Sequence, residues 1–152
     1  MHFIQSAACA AIIAACALPV AAQVAEIGRI KVVRGQVSVE RAGKSLPAVA
    51  GMPLQAGDEI RTGRDGAAGI TMSDNSLLST GPDSTLALDR FAFDTTTHQG
   101  RFDSSLKRGT LAVSSGKIAR QSPESMSVKT PAAILGVRGT EFVVSAGDAA
   151  AR

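Results

Sequence analysis

Tryptophan and tyrosine are absent from this 152-residue chain, phenylalanine occurs five times, and there are only two histidines and two cysteines. Each scarcity removes a class of function. Without indole or phenol rings there is no stacking platform of the kind that holds sugar rings or the bases of single-stranded nucleic acid. Charge offers no substitute, because 16 Lys and Arg against 13 Asp and Glu leave a formal charge of +3, a poor footprint for a groove that tracks a phosphate backbone. Beyond the N-terminus no apolar run approaches the ~20 residues of a membrane-spanning helix. A hydrophobic fraction of 45% with so small a net charge also excludes a disordered chain.

Both cysteines, Cys9 and Cys16, lie in one apolar stretch from Phe3 to Leu18. Pro19 ends that stretch, and Val20 and Ala22 place small residues at −3 and −1 of a cleavage point before Gln23. Residues 1–22 therefore read as a secretory signal peptide, with export to the periplasm or beyond, although only the N-terminal amine and His2 supply positive charge at its start. The alternative is a lipoprotein anchored at Cys16, since Ile13-Ala14-Ala15-Cys16 has lipobox character; the apolar run continues past Cys16, which favours simple cleavage. Removal leaves 152 − 22 = 130 residues, enough for one domain with its own core. That domain holds no thiol, so disulfide frameworks, thiol nucleophiles and cysteine-ligated metals are excluded together.

What is present is alternation with a period of two, bounded by glycine turns. Val37 and Val39 share a face in Gln36-Val37-Ser38-Val39-Glu40, and Ile30 to Arg34 has the same strand character. Ala42-Gly43-Lys44 predicts a hairpin turn, residues 47–53 a loop, and Glu59 to Thr62 a strand bounded by Gly57-Asp58 and Gly63. Further strands are expected at 68–72, 76–80, 85–88, 102–106, 110–113, 117–120, 126–129 and 140–145, separated at intervals near ten residues. This rhythm predicts an all-β domain, a rolled or solenoid-like β-sandwich of about ten short strands. A short helix is expected only at 131–135, where Pro131 suits a first helical position. A loose echo, R-G-[QT]-x-x-V, recurs at Arg34, Arg108 and Arg138 with unequal spacing, as stacked short strands with a glycine at each corner would produce. The predicted organisation is a signal peptide (1–22), an N-terminal segment (23–29), the β domain (30–146) and a short tail (147–152).

The ordered elements Gly57-Asp58-Glu59-Ile60-Arg61-Thr62-Gly63, Asp65-Gly66, Ser73-Asp74-Asn75-Ser76, Lys129-Thr130-Pro131 and Val137-Arg138-Gly139-Thr140-Glu141-Phe142-Val143 resemble the FecR domain family over residues 30–145. The resemblance implies a periplasmic module of a signal transducer, related to envelope proteins that receive a signal from an outer-membrane siderophore transporter and control a sigma factor. This chain resembles only the central periplasmic piece, so direct sigma-factor control is not expected of it. Additional strands often follow the closing segment in the family, which implies that the strand at 140–145 lacks a customary neighbour. Such an edge invites strand addition or a homo-oligomer; the competing expectation is a paired core strand.

Catalytic equipment is sparse. His98 is the one histidine outside the signal segment and lies in a loop composition, with no nucleophile or orienting partner nearby. Asp65, Asp74, Asn75 and Asp83 are the candidates for a Ca²⁺ site, but they stand beside turn residues where Asx side chains cap their own backbone. No cofactor, metal or enzymatic activity is expected. The motif residues Gly57, Asp58, Thr62, Gly63, Thr130, Pro131, Arg138, Gly139, Thr140 and Phe142 read as shaping corners, with Arg138 tying loop carbonyls or a carboxylate such as Asp58 or Glu141. A basic segment, Arg101, Lys107, Arg108, Lys117, Arg120, Lys129 and Arg138 against Asp103 and Glu124, predicts a face for an acidic envelope partner that salt would weaken. The expectation is thus an exported, non-catalytic binding or sensing module that contacts another protein. A periplasmic ligand- or glycan-binding β module is the alternative, disfavoured by the missing aromatics.

Overall fold

The computed structural model describes residues 21–147; the signal-peptide reading falls almost wholly outside them. Twelve strands follow in order: β1 (Gly28–Arg34), β2 (Val37–Arg41), β3 (Lys44–Pro47), β4 (Pro53–Leu54), β5 (Glu59–Thr62), β6 (Ala67–Met72), β7 (Leu77–Thr80), β8 (Thr85–Phe93), β9 (Gly100–Ser114), β10 (Met126–Lys129), β11 (Ile134–Gly136) and β12 (Glu141–Ala146), with a five-residue helix α1 (Lys117–Gln121) and a 3-10 turn (Pro123–Ser125) between β9 and β10. The all-β expectation is borne out. The strands form one curled sheet in the order β3-β2-β5-β8-β9-β7-β6-β1-β4.

The long strand β9 serves both layers of the roll. Its first part pairs antiparallel with β8 and parallel with β10, which carries β11 at its far side. Its second part pairs antiparallel with β7 on one side and β12 on the other. Buried positions switch phase between the two parts, from Phe102, Ser104 and Leu106 to Leu111 and Val113. Strand side chains alternate strictly, so inverting the buried face requires an irregularity. The register with β8 slips at Lys107, since Thr85 faces Arg108 and Leu86 faces Leu106, and two residues on Gly109 takes φ +91°. A Cβ there would come within 2.6 Å of the Ser84 backbone and side chain, so only glycine fits.

Between the layers lies one hydrophobic core. Ile30, Leu54, Ile70, Met72, Leu78 and Leu111 come from one layer, and Ile60, Leu86, Leu88, Phe102, Leu106 and Val128 from the other. Phe91 packs edge-on to Phe102 with ring centroids 5.4 Å apart. Ile27 is already buried in this core.

Three local expectations are corrected. Residues 117–120, expected as a strand, form α1; Ile118 and Ala119 are buried and Lys117 donates its backbone N–H to the Asp74 carbonyl. Four residues with only two apolar neighbours, Ile118 and Ala119, fit either period, and docking on the β6–β7 turn decides for the helix. Residues 131–135, expected as a helix, form a turn leading into β11. Ala133 donates to the Thr130 hydroxyl (3.1 Å) and Thr130 N–H to the Ala133 carbonyl (2.8 Å), while β10 supplies a neighbour for Ile134 to Gly136. The 102–106 and 110–113 segments are parts of one strand rather than two.

Candidate functional site

The first motif corner is built inward. Gly57 takes φ +91° and donates to the Leu88 carbonyl at 2.7 Å, while Leu88 N–H returns to the Asp58 carbonyl at 2.9 Å. The Asp58 carboxylate is 1% exposed and is gripped by Arg41, Nε to Oδ1 at 2.8 Å and Nη2 to Oδ2 at 2.6 Å. The Gln55 amide adds a third donor at 2.8 Å, and Arg41 Nη2 also reaches the Pro53 carbonyl at 3.0 Å. One arginine thus ties β2 to β4 and to the turn that enters β5, and the hydrogen bond to Asp58 raises its pKa further. Thr62 is a second buried tie: its hydroxyl donates to the Gly81 carbonyl (2.7 Å) and accepts from Ser84 N–H (2.8 Å). Gly63 N–H donates to the Gln36 carbonyl and its own carbonyl accepts from Gly66 and Asp83.

The second motif segment faces outward. From Pro131 to Gly136 every residue is exposed, and so are Arg138, Gly139 and Thr140. Ile134 is 69% exposed, an apolar side chain standing in solvent. Val137 is buried and Phe142 half-buried against the core, which fixes this strap at two points. Thr140 accepts from Ser115 N–H at 2.7 Å, and Gly139 takes φ +120°. Pro123, Glu124, Gly136, Val137, Arg138 and Gly139 line an open groove of about 560 Å³. Arg138 does not meet Asp58 or Glu141 as expected. Arg41 occupies the place at Asp58, because β2 runs beside β5 in the sheet whereas residue 138 lies beyond β10.

The basic residues do not form one free face. Arg101 pairs with Asp103 (2.7 Å), Lys107 with Glu59 (2.5 Å) and Arg108 with Asp83 (3.5 Å). Two of these acids, Glu59 and Asp83, arrive from distant sequence and were invisible to a local charge count. Lys117 and Arg120 sit on α1, Arg120 exposed, and Lys129 is exposed at the end of β10. Partial burial pushes the Glu59 carboxyl up, but hydrogen bonds from Lys107 and Arg61 outweigh it and hold the pKa below its ordinary value. Asp103 behaves likewise: burial raises it, and Arg101 and Ser127 bring it down.

The acidic turn residues perform turn work. Asp65 accepts from Gln36 N–H, and Asn75 and Asp83 take positive φ. Asp74, wholly buried, accepts from the Ser76 amide (3.0 Å), the Ser76 hydroxyl (2.8 Å) and the Ile118 amide (3.3 Å), while Ser76 Oγ accepts from Gly116 N–H (3.0 Å). No three His, Cys, Asp or Glu side chains group as metal ligands among the described residues. His98 lies at the β8–β9 hairpin tip with φ +59°, stacked on Phe93 at 6.2 Å. Sequence reasoning named neither Arg41 nor the reach of the Asp74–Ser76 clamp to Gly116 and Ile118. The only signal for the first was an arginine ending a strand before a turn, and for the second the S-D-N-S string itself.

The family model described as FecR protein matches residues 58–152, and the chain belongs to that family. The family consists of regulatory, signal-transduction-related modules, and FecR domains are periplasmic in that context. The match begins at Asp58, so β1 to β4 precede it although they complete the same sheet. No curated protein and no solved structure matches the chain. Among the described residues no helix is long and apolar enough to cross a membrane.

Proposed function

We propose that the chain is an exported, non-catalytic binding and sensing module of the bacterial envelope, acting by protein–protein contact in signal transduction or envelope assembly. It is delivered by the signal peptide at 1–22, cut before Gln23, with residues 30–146 as the binding domain. The observation that carries this reading is the division of labour within the family motif. Asp58 and Thr62 are buried ties that hold the corner, whereas the strap from Pro131 to Thr140 presents Ile134, Leu135 and Arg138 to solvent beside a groove. Exposed apolar side chains held on a pinned strap, rimmed by a guanidinium, suit a protein surface with an apolar patch and an acidic group.

The test is affinity capture by the tagged mature chain from envelope extract at low and high salt, beside an Ile134→Ser/Arg138→Glu variant. A discrete membrane receptor or sensor protein retained by the wild type and lost by the variant is the expected result. Retention of lipid or glycan alone, or equal capture by both proteins, overturns the reading.

A further inference from the structure

The hydrogen-bond phase of β12 determines what its outer edge offers. Ser115 N–H donates to the Thr140 carbonyl at 2.7 Å, which makes that pair a bonded one. In an antiparallel ladder bonded and non-bonded pairs alternate, so Phe142, Val144 and Ala146 spend their backbone groups on β9, opposite Val113, Leu111 and Gly109. Glu141, Val143 and Ser145 then direct N–H and C=O away from β9, where no strand pairs with them among the described residues. The opposite side of β9 agrees with this phase, since Gly81 N–H bonds the Thr110 carbonyl there.

Other edges of the roll are blunted. β3 carries Lys44 and Pro47, β4 is two residues long and begins with Pro53, and β11 has three residues. Lysine, proline and shortness are the usual protections against strand addition. β12 has none of them: six residues, no proline, no lysine, and Val143 67% exposed.

We propose that this edge pairs with the β12 of a second copy, antiparallel about a two-fold axis through Val143. The proposal is independent of the identity of any envelope partner. Val143 would exchange a reciprocal pair of hydrogen bonds with the Val143 of the second copy, and Glu141 would do so with its Ser145, in both directions. The only charged side chain of the strand therefore meets a hydroxyl, and the two Glu141 carboxylates stay roughly 14 Å apart along the strand. On the core-facing side half-buried Phe142 falls beside the Val144 of the second copy. On the outer side the row Gly69-Ser79-Ala112-Val143 carries no charge, and a shallow hollow of about 360 Å³ lined by Leu77, Ala112 and Val143 adjoins the axis. Such a contact is isologous and closes on itself, leaving no free β12 edge.

Sedimentation velocity of the mature chain from micromolar to sub-millimolar concentration tests it. A concentration-dependent dimer is expected. Val143→Pro removes an outward N–H only, so it should give a monomer with an unchanged circular-dichroism spectrum; Val143→Lys, which leaves the backbone intact and opposes two ammonium groups, should do the same. Register is read from Ser145, where Ser145→Lys faces Glu141 and tightens the dimer while Ser145→Glu loosens it, each by roughly 2- to 30-fold. A wild type monomeric at the highest concentration, a dimer surviving both Val143 variants, or Ser145 variants that move together would overturn the proposal.

Discussion

Arg41→Ala would strand the Asp58 carboxylate, 1% exposed, with the Gln55 amide as its one remaining donor among the described residues. Removing one partner of a buried pair costs about 3–5 kcal/mol, chiefly because the surviving charge has no water to replace it. Arg41 itself is 25% exposed, so water reaches part of the site and the lower half of that range applies, about 3–4 kcal/mol. For a domain of this size such a loss lowers Tm by roughly 10–15 °C. The reverse variant, Asp58→Ala, leaves an arginine that can turn toward solvent, and should cost less, about 2–3 kcal/mol. Urea unfolding of both single variants and the double variant closes a cycle, whose coupling should be at least about 1 kcal/mol. If Arg41→Ala costs under about 1 kcal/mol, or less than Asp58→Ala, the motif aspartate is not held as described and is free for a ligand.

Gly109→Ala forces a Cβ into Ser84 at φ +91°, whereas Gly43→Ala at φ +76° meets open space; thermal melting should separate them, with Gly43→Ala losing only about 1 kcal/mol and Gly109→Ala more than twice that. Phe102→Ala empties a fully buried site beside Phe91 and should cost about 3–5 kcal/mol by chemical denaturation. Glu59 and Asp103 have folded pKa values below their ordinary ones. Their contribution is therefore complete above the unfolded values near 4 and is lost as pH falls through the lower folded values. Tm should accordingly drop more steeply below pH 4 in wild type than in a Glu59→Gln/Asp103→Asn variant, and equal slopes would contradict the assignment.

The period-two alternation, the positive-φ corners at Gly35, Gly43, Gly109 and Gly139 and the family motif were legible in the chain because they are local: side-chain direction and allowed φ depend on neighbouring residues. At 117–120 and 131–135 local preference was too weak to choose between helix and strand, and packing on Asp74 or pairing with β10 chose instead. Which arginine grips Asp58, which carboxylates neutralise Lys107 and Arg108, and which side of β12 is bonded are contacts between residues 17 to 48 apart or facts of ladder phase. Periodicity cannot carry them, because a one-residue bulge such as that at Lys107 in β9 inverts a strand's faces without changing its composition. The sequence alone thus determined the all-β class and the family; only the tertiary structure decided that Asp58 and Thr62 are buried ties while, among the described residues, Arg138 is exposed and the outer edge of β12 has no paired strand.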